Sequence, residues 1–291
     1  MTSPSSSTQH IALRQGMKSR VSPGGWFFGA AGLACASIVL AAVLAPWLAP
    51  YDPLALDPLD AYAGSSWAHP LGTDEFGRDI YSRLLYGARL TLSAPAIVVV
   101  IAVVAGVALA LVASWYGGAL DVAVGRCVDV MLSFPGLVLA IAVVAIFGAG
   151  YFPPVLALAV SYTPSVARVI RPVIRRERAL AYVGALETQG APTLRIWIAH
   201  LLPNVAPLIV VQAAILYGYA MLDLAAISFL GLGVQPPTPE WGAMAADGQA
   251  SIIAGYPQQS LYAALAVIGT VVAFNALGDR IARRFQIDEF A

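Results

Sequence analysis

The side chains that could do chemistry in this sequence are few and far apart. Ser133, Ser161 and Ser228 have no base near them in sequence, so nucleophilic catalysis has no support. The single lysine, Lys18, sits in Gln-Gly-Met-Lys-Ser, against fifteen arginines. A phosphate-binding loop needs Gly-Lys-Ser/Thr, so the chain has none, and any ATP used here must be bound by another subunit. His69 and His200 fall on opposite sides of the membrane in the topology derived below and can build no metal site. Cys35 and Cys127 lie in different apolar runs and read as small buried residues. What remains is charge inside apolar sequence. Arg126 and Asp129 are three residues apart, share a helix face and can pair. Asp223 stands near the end of another apolar run. An acid within the bilayer usually faces the bundle interior or a water-filled path. These three residues are therefore the translocation-path candidates, with a structural ion pair favoured over a substrate contact for Arg126–Asp129 and a structural role modestly favoured for Asp223.

These charges count as intramembrane because of what surrounds them. Of 291 residues, 59% are hydrophobic and 11% charged, and mean hydropathy is +0.77. A soluble domain of this length needs far more charged surface. The apolar residues fall in long blocks, which predicts an all-α polytopic membrane protein. Six spans are expected: Trp26–Ala49, Leu90–Tyr116, Val122–Phe147, Tyr151–Ile170, Val205–Phe229 and Leu261–Leu277. Net charge is zero, so neither nucleic acid nor anionic lipid is implied as a partner by global charge.

The arginines set the orientation. With the N-terminus in the cytoplasm, Arg14, Lys18 and Arg20, six arginines from Arg168 to Arg195, and Arg280, Arg283 and Arg284 all lie inside, twelve of the sixteen basic residues. Both termini are then cytoplasmic. The chain divides into a cytoplasmic, partly disordered tail (1–25), the first span with a long outer loop (26–89), a transmembrane core (90–285) with a cytoplasmic loop at 172–204, and a C-terminal cytoplasmic tail (286–291).

The loops hold the remaining pattern. An interfacial helix is expected from about Gly77 to Leu92, leading into the second span. Residues 230–258 are rich in Pro and Gly and should form a structured outer loop without regular helix. In the cytoplasmic loop, Ala179, Tyr182, Val183 and Leu186 recur at helical spacing and share an apolar face. Gly190-Ala191-Pro192 ends that helix, glycine suiting a C-terminal cap. On pattern alone this helix could equally lie on the lipid interface.

Here the sequence resembles a known family. Tyr182-Val183-Gly184-Ala185, then Gly190, then His200-Leu201-Leu202-Pro203-Asn204 is similar to the coupling-helix signature of ABC importer permeases. Three further blocks resemble the peptide/nickel type. The first runs from His69-Pro70-Leu71-Gly72-Thr73-Asp74 through Gly77-Arg78-Asp79 to Tyr86-Gly87-Ala88-Arg89. The second is Ser228–Gly233 with Gln235-Pro236-Pro237 and Trp241-Gly242, and the third is Asn275–Asp279. Their order looks like the C-type subunit of oligopeptide and dipeptide importers.

The resemblance implies a six-helix subunit of the bacterial plasma (inner) membrane, with a coupling helix between helices 4 and 5. It implies a homologous second permease subunit, two cytoplasmic ATPase subunits that bind ATP and Mg, and an extracytoplasmic substrate-binding protein. This chain would hold no cofactor and do no covalent chemistry. Tyr182, Val183, Gly184, Ala185, Leu186 and Gly190 would contact the ATPase, flanked by Arg176 and Arg178. Asp74, Arg78, Asp79 and Trp241 are the outer-loop candidates for contact with the binding protein. Gly184 departs from the family pattern, which has glutamate there. Nickel or another small solute is the alternative cargo. An ion-coupled carrier is the alternative class, though it would need intramembrane ion sites and usually a repeat, and no repeat is visible.

Overall fold

The computed structural model describes residues 24–284, with side chains described from residue 32 to 283. The expected disordered tail and the last C-terminal residues lie outside that range. Within it the protein is helical, and the only β-pairing is an isolated bridge between Thr73 and Asp79. The long elements are α1 (Gly24–Val43), α2 (Ile80–Tyr116), α3 (Gly118–Leu132), α4 (Gly136–Phe147) and α5 (Phe152–Arg178). A short helix α6 (Ala181–Thr188) follows, then α7 (Leu202–Phe229), α8 (Trp241–Asp247) and α9 (Gln258–Arg284). Among the described residues, three stretches are long and apolar enough to cross a membrane: Ile80–Tyr116, Thr193–Phe229 and Gln258–Arg283. The bent pair α3–α4 makes a fourth if counted as one span.

Several expected boundaries move, each for a local reason. No separate interfacial helix precedes the second span. α2 is one helix of 37 residues, about 55 Å long at 1.5 Å per residue, against a hydrocarbon core of about 30 Å. Its start is fixed by Asp79, whose carboxylate accepts from the backbone N–H of Ser82. The expected third span is broken. α3 and α4 meet at 79°, because Ser133 caps the first and Pro135, with ψ at 125°, cannot continue it. α5 runs on past Ile170 to Arg178, carrying its arginines in helix. The outer segment 230–258 contains the short helices α8 and Gln249–Ile253, after a cis Pro236–Pro237 bond.

A wide π-turn at Trp197–Leu201 joins the first helical turn after Pro192, Thr193–Ile196, to α7. Pro203 follows at once, and it has no N–H to give a regular α-helical ladder.

The most extensive helix contact is α2 against α5. Its close approach is set at Gly106. A Cβ there would stand 2.6 Å from Val166 Cβ and 2.8 Å from the Thr163 carbonyl oxygen. Gly106→Leu should therefore separate the two helices and cost about 1–3 kcal/mol. Thermal unfolding of the solubilised chain checks this. Gly269→Leu, at an exposed position with nothing within 4 Å, is the control and should not match that loss.

Candidate functional site

The cytoplasmic loop is built onto the helical core, not suspended from it. α6 begins at Ala181, two residues later than the sequence suggested, and Gly190 closes it at φ 77°. The Gly190 N–H donates to the Glu187 carbonyl at 3.0 Å and the Ala191 N–H to the Leu186 carbonyl at 3.0 Å. This paired arrangement needs a left-handed residue at the cap, so Gly190 acts as a cap, in keeping with the sequence reading.

The apolar face of α6 turns inward. Val183 is 1% exposed and belongs to a core with Trp115, Ile174, Ile196, Leu201 and Val205; Tyr182 and Leu186 pack against the same core. Val183 is thus spent within the chain, which corrects its assignment to an ATPase contact, while Tyr182 and Leu186 are half-buried against the same core. Apolar spacing marks a buried face but not what buries it. The opposite face carries Ala181, Gly184, Ala185 and Thr188, all exposed. A Cβ at Gly184 would meet nothing within 4 Å, so packing does not require glycine there.

Polar contacts tie this helix to both neighbours. The Tyr182 hydroxyl donates to Glu177 Oε1 at 2.7 Å, and Asn204 Nδ2 donates to the same oxygen at 2.6 Å and to the Tyr182 hydroxyl at 3.2 Å. The end of α5, α6 and the start of α7 are held at one point. Burial and the hydrogen bond to Glu177 push the Tyr182 phenol above its usual range, so it stays a donor. Arg178 also turns inward. It donates to the Ser114 carbonyl at 2.7 Å and lies 4.8 Å from the Trp115 ring centroid, which corrects its reading as a flanking partner charge. Arg176 stays exposed.

In the membrane-facing region, Arg126 and Asp129 form no ion pair, contrary to expectation; both are exposed. The pairing goes to Asp121 instead. Arg171 Nε donates to it at 2.6 Å, and Arg175 pairs with its other oxygen. Asp223 accepts a hydrogen bond of 2.7 Å from the Tyr162 hydroxyl, joining α7 to α5. The start of α4 lies close by in the chain order of α5, since Gly136 packs against Ser161 so tightly that a Cβ would sit 2.6 Å from its hydroxyl. The break between α3 and α4 therefore adjoins the segment that carries Tyr162.

The outer-loop candidates are buried. Asp74, Arg78, Asp79 and Trp241 are at most 5% exposed, so none offers its side chain to a partner. Asp74 holds Arg78 Nε at 2.6 Å and lies 3.6 Å from Arg83 Nε. Asp79 caps α2 and bonds the His69 ring at 3.0 Å. Trp241 Nε1 donates to the Leu84 carbonyl at 2.9 Å, and Glu240 caps α8 while accepting from Thr91 at 2.9 Å. These residues fold the outer segments onto α2.

Glu177, Asn204, Tyr162, Asp121 and Arg83 were not singled out as site residues from sequence. Asn204 stood in a noted motif, but its partner is 27 positions away. Only Asp121, in the first turn of α3, carried a local signal, and that signal reads equally as helix-end charge.

Comparison with known proteins fits this architecture. Residues 102–287 match the family described as binding-protein-dependent transport system inner membrane component. The chain is 41% identical over 248 residues to the di/tripeptide transport system permease protein DppC of Pseudomonas aeruginosa, covering 83% of this chain and 82% of that protein. It is 38% identical over 243 residues to the dipeptide transport system permease protein DppC of Alkalihalophilus pseudofirmus, covering 84% and 80%. It is 39% identical over 251 residues to the glutathione transport system permease protein GsiD of Pectobacterium atrosepticum, covering 86% and 83%. With the family pattern matched across well over half its length, and the helical core that pattern needs in place, the chain belongs to the inner membrane components of binding-protein-dependent transport systems.

Proposed function

We propose that this protein is the C-type permease subunit of an ATP-driven importer for short peptides. It forms one half of the translocation path with a homologous second subunit. Two cytoplasmic ATPase subunits bind ATP and Mg, and a substrate-binding protein delivers cargo from outside. The chain itself does no covalent chemistry. Its helices make six crossings with both termini cytoplasmic: α1, α2, the bent α3–α4 pair, α5, α7 and α9. The charge distribution supports this orientation, since the arginine-rich end of α5 and the loop after it lie on one side.

The observation that carries the reading is α6. It is clamped to α5 and α7 by Glu177, Tyr182 and Asn204, and its small outer face of Ala181, Gly184, Ala185 and Thr188 is bare. A helix so held moves with the ends of two spans. Force applied to its outer face by an ATPase groove is passed to α5 and α7. The Tyr162–Asp223 contact between the same two helices is placed to change when they shift. Asp223, Asp129 and Arg126 remain the candidates for the path.

Peptide cargo follows from the names of the similar permeases, two for di- or tripeptides and one for glutathione. Purifying the assembled complex with its binding protein and identifying the bound ligand by mass spectrometry should return short peptides; bound nickel without peptide would refute this cargo. Topology has its own test. A cysteine at position 187 should be labelled by an impermeant reagent only after the cells are opened. Labelling in intact cells would reverse the orientation.

A further inference from the structure

Between α3 and α5 lies a cavity of about 510 Å³ lined by Gly125, Val128, Asp129, Arg168, Arg171 and Arg175 among others. Of these residues the peptide-import reading names only Asp129, as a candidate for the path; it assigns no role to the arginines. The cavity's chemistry is that of an anion site. Arg171 spends Nε and one terminal nitrogen on Asp121, and Arg175 spends one terminal nitrogen there. Their other donors have no hydrogen-bond acceptor among the described residues. Arg168 makes neither a hydrogen bond nor an ion pair among them. Gly125 keeps the space open: a Cβ there would stand 2.8 Å from a terminal nitrogen of Arg171. Four arginines line the space, Arg168, Arg171, Arg175 and Arg176, against two carboxylates, Asp129 in the lining and Asp121 bound to Arg171 and Arg175, so positive charge is in excess.

The surroundings narrow the ligand. On the same two helices Val122, Val130 and Val169 are exposed, at 53%, 61% and 39%. An anion with an apolar tail matches both parts, the head on the arginines and the tail along the valines. Arginine presents paired donors that fit phosphate oxygens. We infer that this cavity binds the phosphate of an anionic phospholipid from the inner leaflet, with Arg168, Arg171 and Arg175 as its donors and Asp129 as a charge that weakens it. The leaflet assignment rests on the orientation proposed above.

The full-length chain, released from nanodiscs of mixed phosphatidylglycerol and phosphatidylcholine, can be weighed by native mass spectrometry to count retained lipid. Phosphatidylglycerol should be retained over phosphatidylcholine. Arg168→Gln should lower its retention about five-fold, the effect of one basic residue near an anionic lipid, and Asp129→Asn should raise it. Neither side chain has a partner in the described fold, so neither change removes a contact that holds it. Equal retention of the two lipids, no loss in Arg168→Gln, or no gain in Asp129→Asn would overturn the site. Added inorganic phosphate should not displace the lipid; if it does, the cavity takes free phosphate and the lipid assignment fails. Nanodiscs expose both leaflets, so this result is independent of the labelling test at position 187.

Discussion

Asp74→Ala should destabilise the protein by about 3–5 kcal/mol, the usual penalty when one partner of a buried ion pair is removed. The Asp74 side chain is fully buried and that of Arg83 is 1% exposed. One Asp74 oxygen accepts from the backbone N–H groups of Phe76 and Arg78, at 2.9 and 3.0 Å. The other holds Arg78 Nε and is the nearest carboxylate to Arg83 Nε, which has no hydrogen bond of its own. Without the carboxylate, two buried guanidinium groups lose their nearest counter-charge, keeping only the more distant Asp247, and two backbone donors lose their acceptor. The outer loop should detach from α2, since Arg83 also donates to the Pro53 carbonyl at 3.1 Å. The apparent unfolding midpoint of the solubilised chain reads the effect. Glu187→Ala, at an exposed carboxylate whose side chain makes no hydrogen bond or ion pair among the described residues, should stay within about 0.5 kcal/mol. Equal midpoints for the two variants would show that the cluster does not hold the loop.

The second large effect separates the two faces of α6. Val183→Asp places an unpaired charge in the core and should cost several kcal/mol, seen as a lowered unfolding midpoint with or without ATPase subunits. Ala185→Trp should leave that midpoint unchanged and abolish ATPase co-purification, because the small residues of the outer face let a partner approach closely. A loss of about 2 kcal/mol in docking, about thirty-fold in affinity, is the scale of a central interface position. If Ala185→Trp kept its ATPase while Leu186→Asp lost it without unfolding, the docking face would be the apolar one after all.

Val183 and Ala185 also show how far the sequence could be read. Helical spacing found the apolar stripe of α6 and the glycine that ends the helix, because both are local properties of a few consecutive residues. It did not reveal that Trp115, Ile196 and Leu201 cover the stripe, since those contacts join residues far apart in the chain. The outer-loop charges were misplaced for a related reason. Charge in a loop defaults to solvent, yet the i, i+4 spacing of Asp74 and Arg78 and the cap at Asp79 pointed to a compact, self-satisfied cluster. The α3–α4 break was hidden by hydropathy, which sums apolar character and ignores direction. Pro135 was the visible sign of it. Hydropathy drops after Ile170, so a loop is expected across Arg175, Arg176 and Arg178, although the helix continues through them.

The π-turn at Trp197–Leu201 acts as a phase setting for α7. A π-turn takes up one residue more than an α-turn, and each residue of an α-helix advances about 100° around the axis. Everything downstream is therefore rotated by roughly a quarter turn from the course that a plain continuation of Thr193–Ile196 would give. The inserted residue is what brings Asn204 round to Glu177 while Val205 and Leu216 still face the core. Deleting one residue between positions 197 and 201 would leave the composition and length of the span almost untouched, yet it would turn Asn204 away from the clamp and misalign the whole of α7 as one body.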